Sequence, residues 1–122
     1  GHAKDYVEAQ WLILQQRKPD DFVIATGKQF SVKHFINIVS KELKMKITWR
    51  GKKINEKAYD DRNNVIIECH EKYFRPSEVQ TLLGNSLKAK KILKWKPKIS
   101  VAVLAKEMVQ NDLKLLSQND KK

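Results

Sequence analysis

The sequence has few cysteines, glycines and prolines and no long apolar run. Cys69 is the one cysteine among 122 residues, which excludes an intrachain disulfide and fits a reducing compartment. No window approaches the ~18 uninterrupted apolar residues that span a bilayer, and the first residues lack the pattern of a secretory signal. We therefore expect a soluble, cytoplasmic protein without a membrane partner, folded as one unit over residues 1–122.

Catalytic and metal-binding patterns are also absent from the sequence. The three histidines, His2, His34 and His70, are not spaced as metal ligands, and Cys69 and His70 are adjacent, so on a strand they would point to opposite faces. There is no Gly-x-Ser-x-Gly elbow, Walker loop or Gly-x-Gly-x-x-Gly turn, and no Tyr-x-x-x-Lys pair. The four glycines are isolated, and each predicts a turn or a helix end. The chain alone predicts neither a catalytic site nor a metal site.

Positive charge is what the sequence has in excess. Its 25 basic and 14 acidic residues give a net charge of +11, concentrated at 41–53 and 86–98. Such a field attracts nucleic acid, an acidic membrane surface or a phosphorylated small molecule, although a lysine-rich solvated surface is an equal explanation. A basic nucleic-acid-binding module is an alternative that we do not favour, because no aromatic platform is interleaved with the lysines and no docking motif is present.

Apolar spacing predicts an α/β chain of about four helices and a few short strands. Helices are predicted at 2–16, after the cap Ser31, at 86–95 and after the cap Ser100, with a fraying polar tail from Ser117. Strands are predicted at 22–26, 46–50 and 65–69, and 51–64 is predicted to be a loop. The first helix is apolar on every side over its second half, which predicts burial against more than one neighbour.

The stretch "EKYFRPSEVQTLLGN" (71–85) holds an arginine between an aromatic residue and a proline. A guanidinium can hold a phosphate in a bidentate way, and Pro76 restricts the backbone of Arg75, so little entropy remains to be lost on binding. Glu78 is an acceptor suited to a ribose diol. The residues alone leave two interpretations open: a grip on a nucleotide, or a local ion pair between Arg75 and Glu78.

The order of motifs along the chain resembles the GDP-mannose 4,6-dehydratase family, in the extended short-chain dehydrogenase/reductase superfamily. The matching stretches are "GHAKDYVEAQWLILQ", "DFVIATG" with "SVKHF", "TWRGK", "YFRPSEVQTLLGN", "KAKKILKWKP" and "EMVQNDL". The resemblance covers nearly the whole chain in order, with departures at Lys28, at Ala58 and at 68–70. Trp49 and Lys52 lie in a loop similar to that of the family, and no contact is assigned to them.

The resemblance implies a C-terminal, sugar-nucleotide-binding portion of an enzyme that converts GDP-mannose to GDP-4-keto-6-deoxy-mannose. It implies that Arg75 contacts the diphosphate and Glu78 the ribose, and that NADP and the catalytic residues belong to an N-terminal Rossmann domain outside this chain. It further implies that the parent enzyme is a homo-oligomer in GDP-fucose synthesis and that this fragment alone is inactive. A fragment of a related GDP-keto-deoxymannose reductase is the remaining alternative.

On the same resemblance, residues 1–45 form a helix–strand–helix unit that packs on the absent Rossmann domain, and residues 46–122 form the substrate lobe. We therefore expect the isolated chain to expose apolar surface around Trp11 to Leu14 and to self-associate or pack loosely.

Overall fold

A computed structural model describes residues 1–73 and 81–119, which form four α-helices and a three-stranded sheet. The helices are α1 (Ala3–Leu14), α2 (Val32–Glu42), α3 (Leu87–Ile92) and α4 (Val101–Asn119). The strands are β1 (Thr48–Arg50), β2 (Lys57–Tyr59) and β3 (Val65–Glu68). Helices and strands in this number are what the apolar spacing predicts, and they are compatible with part of an α/β domain.

Side chains at the predicted caps start two of the helices. Ser31 Oγ accepts a hydrogen bond of 3.1 Å from the His34 amide at the start of α2. Ser100 Oγ accepts one of 3.3 Å from the Val103 amide at the start of α4. Each hydroxyl satisfies an amide that has no partner inside its own helix, so both predicted caps are confirmed. The two helices then pack against each other.

The main core lies where α1 meets α3 and the segment that follows α3. Its buried members are Ala9, Ala89, Leu93 and Trp95. Partly buried residues that pack against them are Tyr6, Leu12, Ile13, Phe22 and Ile24. The two alanines project only a methyl group, which leaves room at the centre of this core for the large indole of Trp95.

The sheet is antiparallel with strand order β1-β2-β3. Ala58 at the middle of β2 is fully buried, and it lies between Trp49 of β1 and Ile67 of β3. The prediction of a loop over 51–64 is therefore wrong, since β2 lies inside it. Lysine and alanine have weak strand propensity, and it is the pairing with both neighbouring strands that holds β2 extended.

The predicted strand at 22–26 is also wrong: these residues belong to no sheet in the described part of the chain. Their side chains nevertheless alternate as in a strand, with Phe22 and Ile24 toward the core and Ala25 toward Gly84. Among the described residues, their main chain makes no backbone hydrogen bond. The physical reason is that a strand requires a neighbour with which its main chain is hydrogen-bonded, and no described segment pairs with this one in that way.

At its C-terminal end the chain stays helical further than predicted, because α4 continues through Ser117 to Asn119. The expectation of a frayed tail from Ser117 is therefore wrong over those residues. Ser117 Oγ donates a hydrogen bond of 2.8 Å to the main-chain oxygen of Lys114, which is a local contact that a helical last turn provides.

The first helix exposes apolar side chains, as the sequence predicts. Val7, Trp11 and Leu14 are 61%, 60% and 80% exposed and recur at helical spacing on α1. We call these three residues the α1 apolar stripe. The opposite side of the helix faces the core through Ala9, so α1 is amphipathic in the fold although the second half of its sequence is apolar all round.

Candidate functional site

Both residues that the sequence singles out for ligand binding, Arg75 and Glu78, lie in segment 74–80, outside the described residues. Their predicted roles therefore stay predictions, and the structure describes the chain on either side of them. On the N-terminal side, β3 leads through the exposed Cys69 to a 3₁₀ turn at Glu71–Tyr73. On the C-terminal side, residues 81–86 lead into α3.

Hydrogen bonds around His70 hold the chain just before the segment. The Tyr73 amide donates to the main-chain oxygen of His70 at 3.0 Å, and the Lys72 amide donates to His70 Nδ1 at 3.2 Å. Because Nδ1 is the acceptor, the neutral ring carries its proton on Nε2. The ring of Tyr73 lies 5.8 Å from that of His70 and is 73% exposed, so it faces outward at the entrance to the segment.

A close contact holds the chain just after the segment. A Cβ built on Gly84 would lie 2.6 Å from the Cβ of Ala25, which is too near for two carbon atoms. Asn85 Oδ1 then accepts a hydrogen bond of 3.0 Å from the Leu87 amide, which starts α3. Segment 74–80 is thus bounded by a 3₁₀ turn on one side and by a packed glycine on the other.

A shallow cavity of about 340 Å³ opens at that packed glycine. Its described lining consists of Gly27, residues 83–87 and Lys90. Lys90 supplies the one charged side chain among those lining residues, and it offers three N–H donors to an anion. Sequence reasoning did not single out Lys90, because a surface lysine in a lysine-rich stretch carries no distinguishing signal.

A second cavity, of about 400 Å³, lies at the start of α4. Its described lining includes His2, Thr26, Lys28 and Lys98 but no carboxylate. His2 is buried, its Nδ1 accepts from the Lys4 amide at 3.0 Å, and its Nε2 lies 3.1 Å from Glu107 Oε2. The ring is therefore occupied in joining α1 to α4 and has no free nitrogen to act as a base.

The lysine cluster at 86–98 is partly neutralised by ion pairs. Lys88 Nζ lies 2.6 Å from Asp20 Oδ1, and Lys98 Nζ lies 2.6 Å from Glu8 Oε1. Trp95, the aromatic residue of this stretch, is buried and donates its indole N–H inward, so it is not available to stack on a base. This burial weakens the alternative of a nucleic-acid-binding module.

The side chains whose pKa departs from its ordinary value are explained by structural contacts. The hydrogen bond from Lys88 lowers the pKa of Asp20, and hydrogen bonds from Asn64 lower the pKa of Asp60. The pair of Lys57 and Glu68, 2.8 Å apart, raises the pKa of the lysine and lowers that of the glutamate. None of these four groups lines either cavity, so their shifts indicate surface pairing and not an acid–base site.

Residues 1–73 and 81–119 contain neither a metal-binding cluster nor a membrane-spanning helix. No group of three or more His, Cys, Asp or Glu side chains there could hold a metal ion. No helix in the same ranges is sufficiently long and apolar to cross a bilayer.

The remaining residues noted in the sequence have structural contacts. Trp49 Nε1 donates a hydrogen bond of 2.8 Å to Asn37 Oδ1, and Lys33 Nζ lies 4.8 Å from the centroid of the Trp49 ring. These contacts fasten β1 to α2. Lys52 is exposed and precedes a 3₁₀ turn at Lys53–Asn55.

The sequence of the chain is similar to those of known proteins. A family model described as GDP-mannose 4,6 dehydratase matches residues 1–108. The chain is 53% identical over 95% of its length to "GDP-mannose 4,6 dehydratase 2" of Caenorhabditis elegans, covering 30% of that protein. It is 50% identical over 99% of its length to "GDP-mannose 4,6 dehydratase" of Dictyostelium discoideum, covering 34% of it, and 44% identical over 98% to the human protein of that name, covering 32%. The chain thus spans about a third of the length of these relatives.

Proposed function

The chain belongs to the GDP-mannose 4,6-dehydratase family, and from this premise we propose that it is the sugar-nucleotide-binding portion of such an enzyme. The whole protein would be a lyase that converts GDP-mannose to GDP-4-keto-6-deoxy-mannose, in the cytoplasm and as a homo-oligomer of extended short-chain dehydrogenase/reductase subunits. The observation that carries the proposal is the family match over residues 1–108, which includes both Arg75 and Glu78.

Within this proposal Arg75 binds the diphosphate of GDP-mannose. The guanidinium offers a planar fork of N–H donors that matches two phosphate oxygens, and a lysine cannot reproduce that geometry. Pro76 follows it directly and limits the backbone of Arg75 to extended conformations, so less entropy is lost when the phosphate is bound. Lys90 adds a positive charge in the cavity at Gly84, which follows segment 74–80 closely in the chain.

Glu78 accepts hydrogen bonds from the ribose hydroxyls in this proposal. A carboxylate presents two oxygens and can accept from both members of a diol. Its negative charge would repel the diphosphate. Glu78 therefore stabilises the bound nucleotide only when Arg75 holds the phosphates away from it. The two residues therefore discriminate between a complete nucleotide and a bare phosphate.

NADP and the groups that carry out elimination belong to the remaining two thirds of the protein in this proposal. The four glycines of this chain form no Gly-x-Gly-x-x-Gly turn, and its tyrosines form no Tyr-x-x-x-Lys pair, so its own residues do not fit a dinucleotide. When bound, NADP would supply a hydride acceptor and donor. This chain would contribute binding and orientation of the nucleotide end of the substrate, and it would be inactive alone.

Residues 1–45 dock on that remaining part of the protein. Three features support the docking: the exposed α1 apolar stripe, the main chain at 22–26, which has no backbone partner among the described residues, and the coverage of about a third of each relative. An apolar stripe gains free energy when a neighbour covers it, and an extended segment without backbone partners gains hydrogen bonds when a strand pairs with it.

A calorimetric titration of the chain with GDP, and separately with pyrophosphate, tests the site. We expect Arg75→Ala to weaken both ligands by at least about tenfold, since a charge-assisted bidentate contact is lost. Glu78→Ala should weaken GDP but not pyrophosphate, which has no ribose. Arg62→Ala is the charge-matched control, because Arg62 is an exposed arginine in the turn before β3.

Two outcomes would overturn the proposal. One is GDP binding that Arg75→Ala and Arg62→Ala weaken equally, because binding would then reflect only net charge. The other is tight, steeply salt-dependent binding of DNA in the absence of any GDP binding, which would favour the nucleic-acid alternative.

A further inference from the structure

Arg50 of β1 is held in one orientation on the outer face of the sheet. The neighbouring Trp49 is hydrogen-bonded to α2, and since adjacent residues of a strand point to opposite faces, Arg50 points away from α2. Arg50 Nη1 donates a hydrogen bond of 2.7 Å to Asn63 Oδ1, and Arg50 Cζ lies 4.9 Å from the centroid of the Tyr59 ring. A ring from β2 and an amide from the following turn thus fix the plane of this guanidinium.

The turn between β2 and β3 holds the amide that orients Arg50. Asn63 has a φ of 67°, in the left-handed region, and its main-chain N–H donates a hydrogen bond of 3.2 Å to the main-chain oxygen of Asp60. The Asp60 carboxylate accepts from the amides of Arg62 and Asn64, on either side of Asn63. The side chain of Asn63 therefore projects from a backbone of defined conformation.

The charge of Arg50 has no partner in the described part of the chain. Asn63 is a neutral amide, and none of the ion pairs within residues 1–73 and 81–119 includes Arg50. Asn63 uses one of the five N–H donors of the guanidinium, so the others have no acceptor in those ranges. Carboxylates close to Arg50 in the sequence are engaged elsewhere: Glu56 by Lys33, Glu68 by Lys57, and Asp60 by its own turn. An arginine that only tied β1 to the turn would use a single donor, so this one retains the capacity to bind an anion.

Thr48 adds a hydroxyl to the same face of the sheet. It precedes Arg50 by two residues on β1, so the two side chains project in the same direction. Thr48 also lies directly opposite Tyr59 in the register of β1 and β2. Because the guanidinium stacks on Tyr59, it leans back along the strand toward Thr48. Thr48 is exposed, and its hydroxyl makes no hydrogen bond among the described residues, so both groups can contact one ligand.

We propose that Arg50 binds a phosphate group on the outer face of the sheet, as free phosphate or as the phosphate of a small ester. The guanidinium fork matches two oxygens of the phosphate, and a third oxygen can accept from the Thr48 hydroxyl. Since the ring of Tyr59 and the Asn63 side chain already orient the fork, little side-chain entropy is lost on binding. The site consists of described residues and requires neither Arg75 nor Glu78.

An NMR titration with inorganic phosphate, and separately with glycerol phosphate, tests the site at an ionic strength kept constant with sodium chloride. We expect saturable shifts of the Arg50 Nε–H and Asn63 side-chain signals, and the tighter of the two probes identifies the source of the phosphate. Arg50→Lys keeps the charge and removes the fork, so it should weaken binding by about tenfold or more. Asn63→Asp places a carboxylate beside the guanidinium and should weaken binding to a similar degree, because the charge is then paired within the protein.

Two control variants repeat these changes at exposed positions away from the sheet. Arg17→Lys lies beyond the end of α1, and Asn111→Asp lies on α4, so both should bind phosphate as the wild type does. Circular dichroism confirms that each variant is folded.

Three results would overturn the proposal. The first is an absence of saturable shifts at Arg50, which would leave this arginine a tether between β1 and the turn. The second is equal weakening by the test variants and their controls, which would assign binding to net charge. The third is loss of the Arg50 response in Arg75→Ala, which would place the phosphate at the other arginine. Saturation at Arg50 that persists in Arg75→Ala and is lost in Arg50→Lys and Asn63→Asp supports the site, irrespective of whether GDP binds through Arg75.

Discussion

The indole Nε1 of Trp95 donates a hydrogen bond of 2.8 Å to the main-chain oxygen of Asp5, 90 positions earlier in the chain. Both residues are buried, at 2% exposure each. The carboxylate of Asp5 also accepts hydrogen bonds from the amides of Lys98 and Ile99, at 3.1 and 3.0 Å. One acidic residue in the first turn of α1 thus holds the whole segment between α3 and α4 against the N-terminal helix.

Replacing Trp95 by Phe removes the indole N–H and keeps most of the apolar volume. We expect the free energy of unfolding to fall by about 1 kcal/mol for the lost hydrogen bond. Trp95→Ala should cost about 3–5 kcal/mol, because it also leaves a cavity beside Ala9 and Ala89. Urea denaturation of the two variants measures the difference, and equal losses would mean that the hydrogen bond and not the packing dominates.

Replacing Asp5 by Ala leaves the Lys98 and Ile99 amides without their acceptor. Since these are hydrogen bonds to a charged group in a partly buried place, we expect a loss of about 3 kcal/mol in the free energy of unfolding. Asp5→Asn retains one carbonyl acceptor and should lose about a third as much. Hydrogen exchange of the Lys98 and Ile99 amides is the specific readout, and unchanged exchange in Asp5→Ala would contradict the assignment.

Local patterns predict the helices of this chain better than its strands. The Ser31 and Ser100 caps each act on the residue three positions later, so the sequence contains the whole interaction. The strand β2 depends on Trp49 and Ile67, which flank Ala58 in space and not in sequence. Residues 22–26 show the converse: their composition predicts a strand, but no described segment pairs with them.

The sequence identifies a candidate site only through the order of its motifs along the chain, which resembles that of a known family. Arg75 and Glu78 taken alone fit a local ion pair better than a ligand site, and they lie outside the described residues. The close packing at Gly84 carries no local signal, because it involves Ala25, which is distant in the chain. Contacts of that kind are set by tertiary packing, which a single sequence does not reveal.

Three lysines of the described residues, Lys44, Lys53 and Lys94, occupy left-handed backbone positions that favour glycine, and two of them follow helices. Lys44 follows α2 with φ of 56°, and Lys94 follows α3 with φ of 56°. The Met45 amide donates 2.8 Å to the Ser40 oxygen, which completes the usual helix-ending motif around Lys44. We expect Lys44→Gly to raise the free energy of unfolding by about 0.5–1 kcal/mol, since a side chain in this region is strained.

The matched control for that change is Lys106→Gly, which also removes one lysine but lies inside α4. It should lower the free energy of unfolding by about 1 kcal/mol. Thermal unfolding of both variants therefore separates backbone strain from net charge. A decrease in stability for both would show that the Lys44 conformation is not strained.

The turn between β2 and β3 depends on the ionised form of Asp60. Its Oδ1 accepts from the amides of Asn64 and Arg62 at 2.7 and 2.9 Å, and its Oδ2 accepts from the Asn64 side chain at 3.0 Å. The Asn64 side chain, followed by the Asn64 amide, lowers the pKa of Asp60 below its ordinary value of 3.8. Because the folded pKa is the lower one, the stabilisation is complete above the ordinary value and is lost as pH falls through the folded value.

An NMR titration of the Asp60 carboxyl carbon checks this dependence. We expect its pKa below that of an unfolded peptide, and we expect Asn64→Ala to move it upward because the leading hydrogen bond is removed. Asp21 serves as an internal reference carboxyl outside the turn. A titration of Asp60 that is unaffected by Asn64→Ala would show that the turn does not hold the carboxylate.

The α1 apolar stripe predicts that the isolated chain self-associates in a salt-dependent way. Val7, Trp11 and Leu14 offer apolar surface, while a net charge of +11 opposes contact between copies. Salt screens that repulsion over a Debye length that falls from ~10 Å at 0.1 M to ~3 Å at 1 M, so association should increase with salt. Sedimentation velocity measures this association. The test variant is Trp11→Glu/Leu14→Glu, and the charge-matched control is Gln10→Glu/Gln15→Glu, on α1 and at the residue that follows it. A compact monomer at all salt concentrations that binds no hydrophobic dye would refute the prediction, and equal effects of the two double variants would assign the association to charge and not to the stripe.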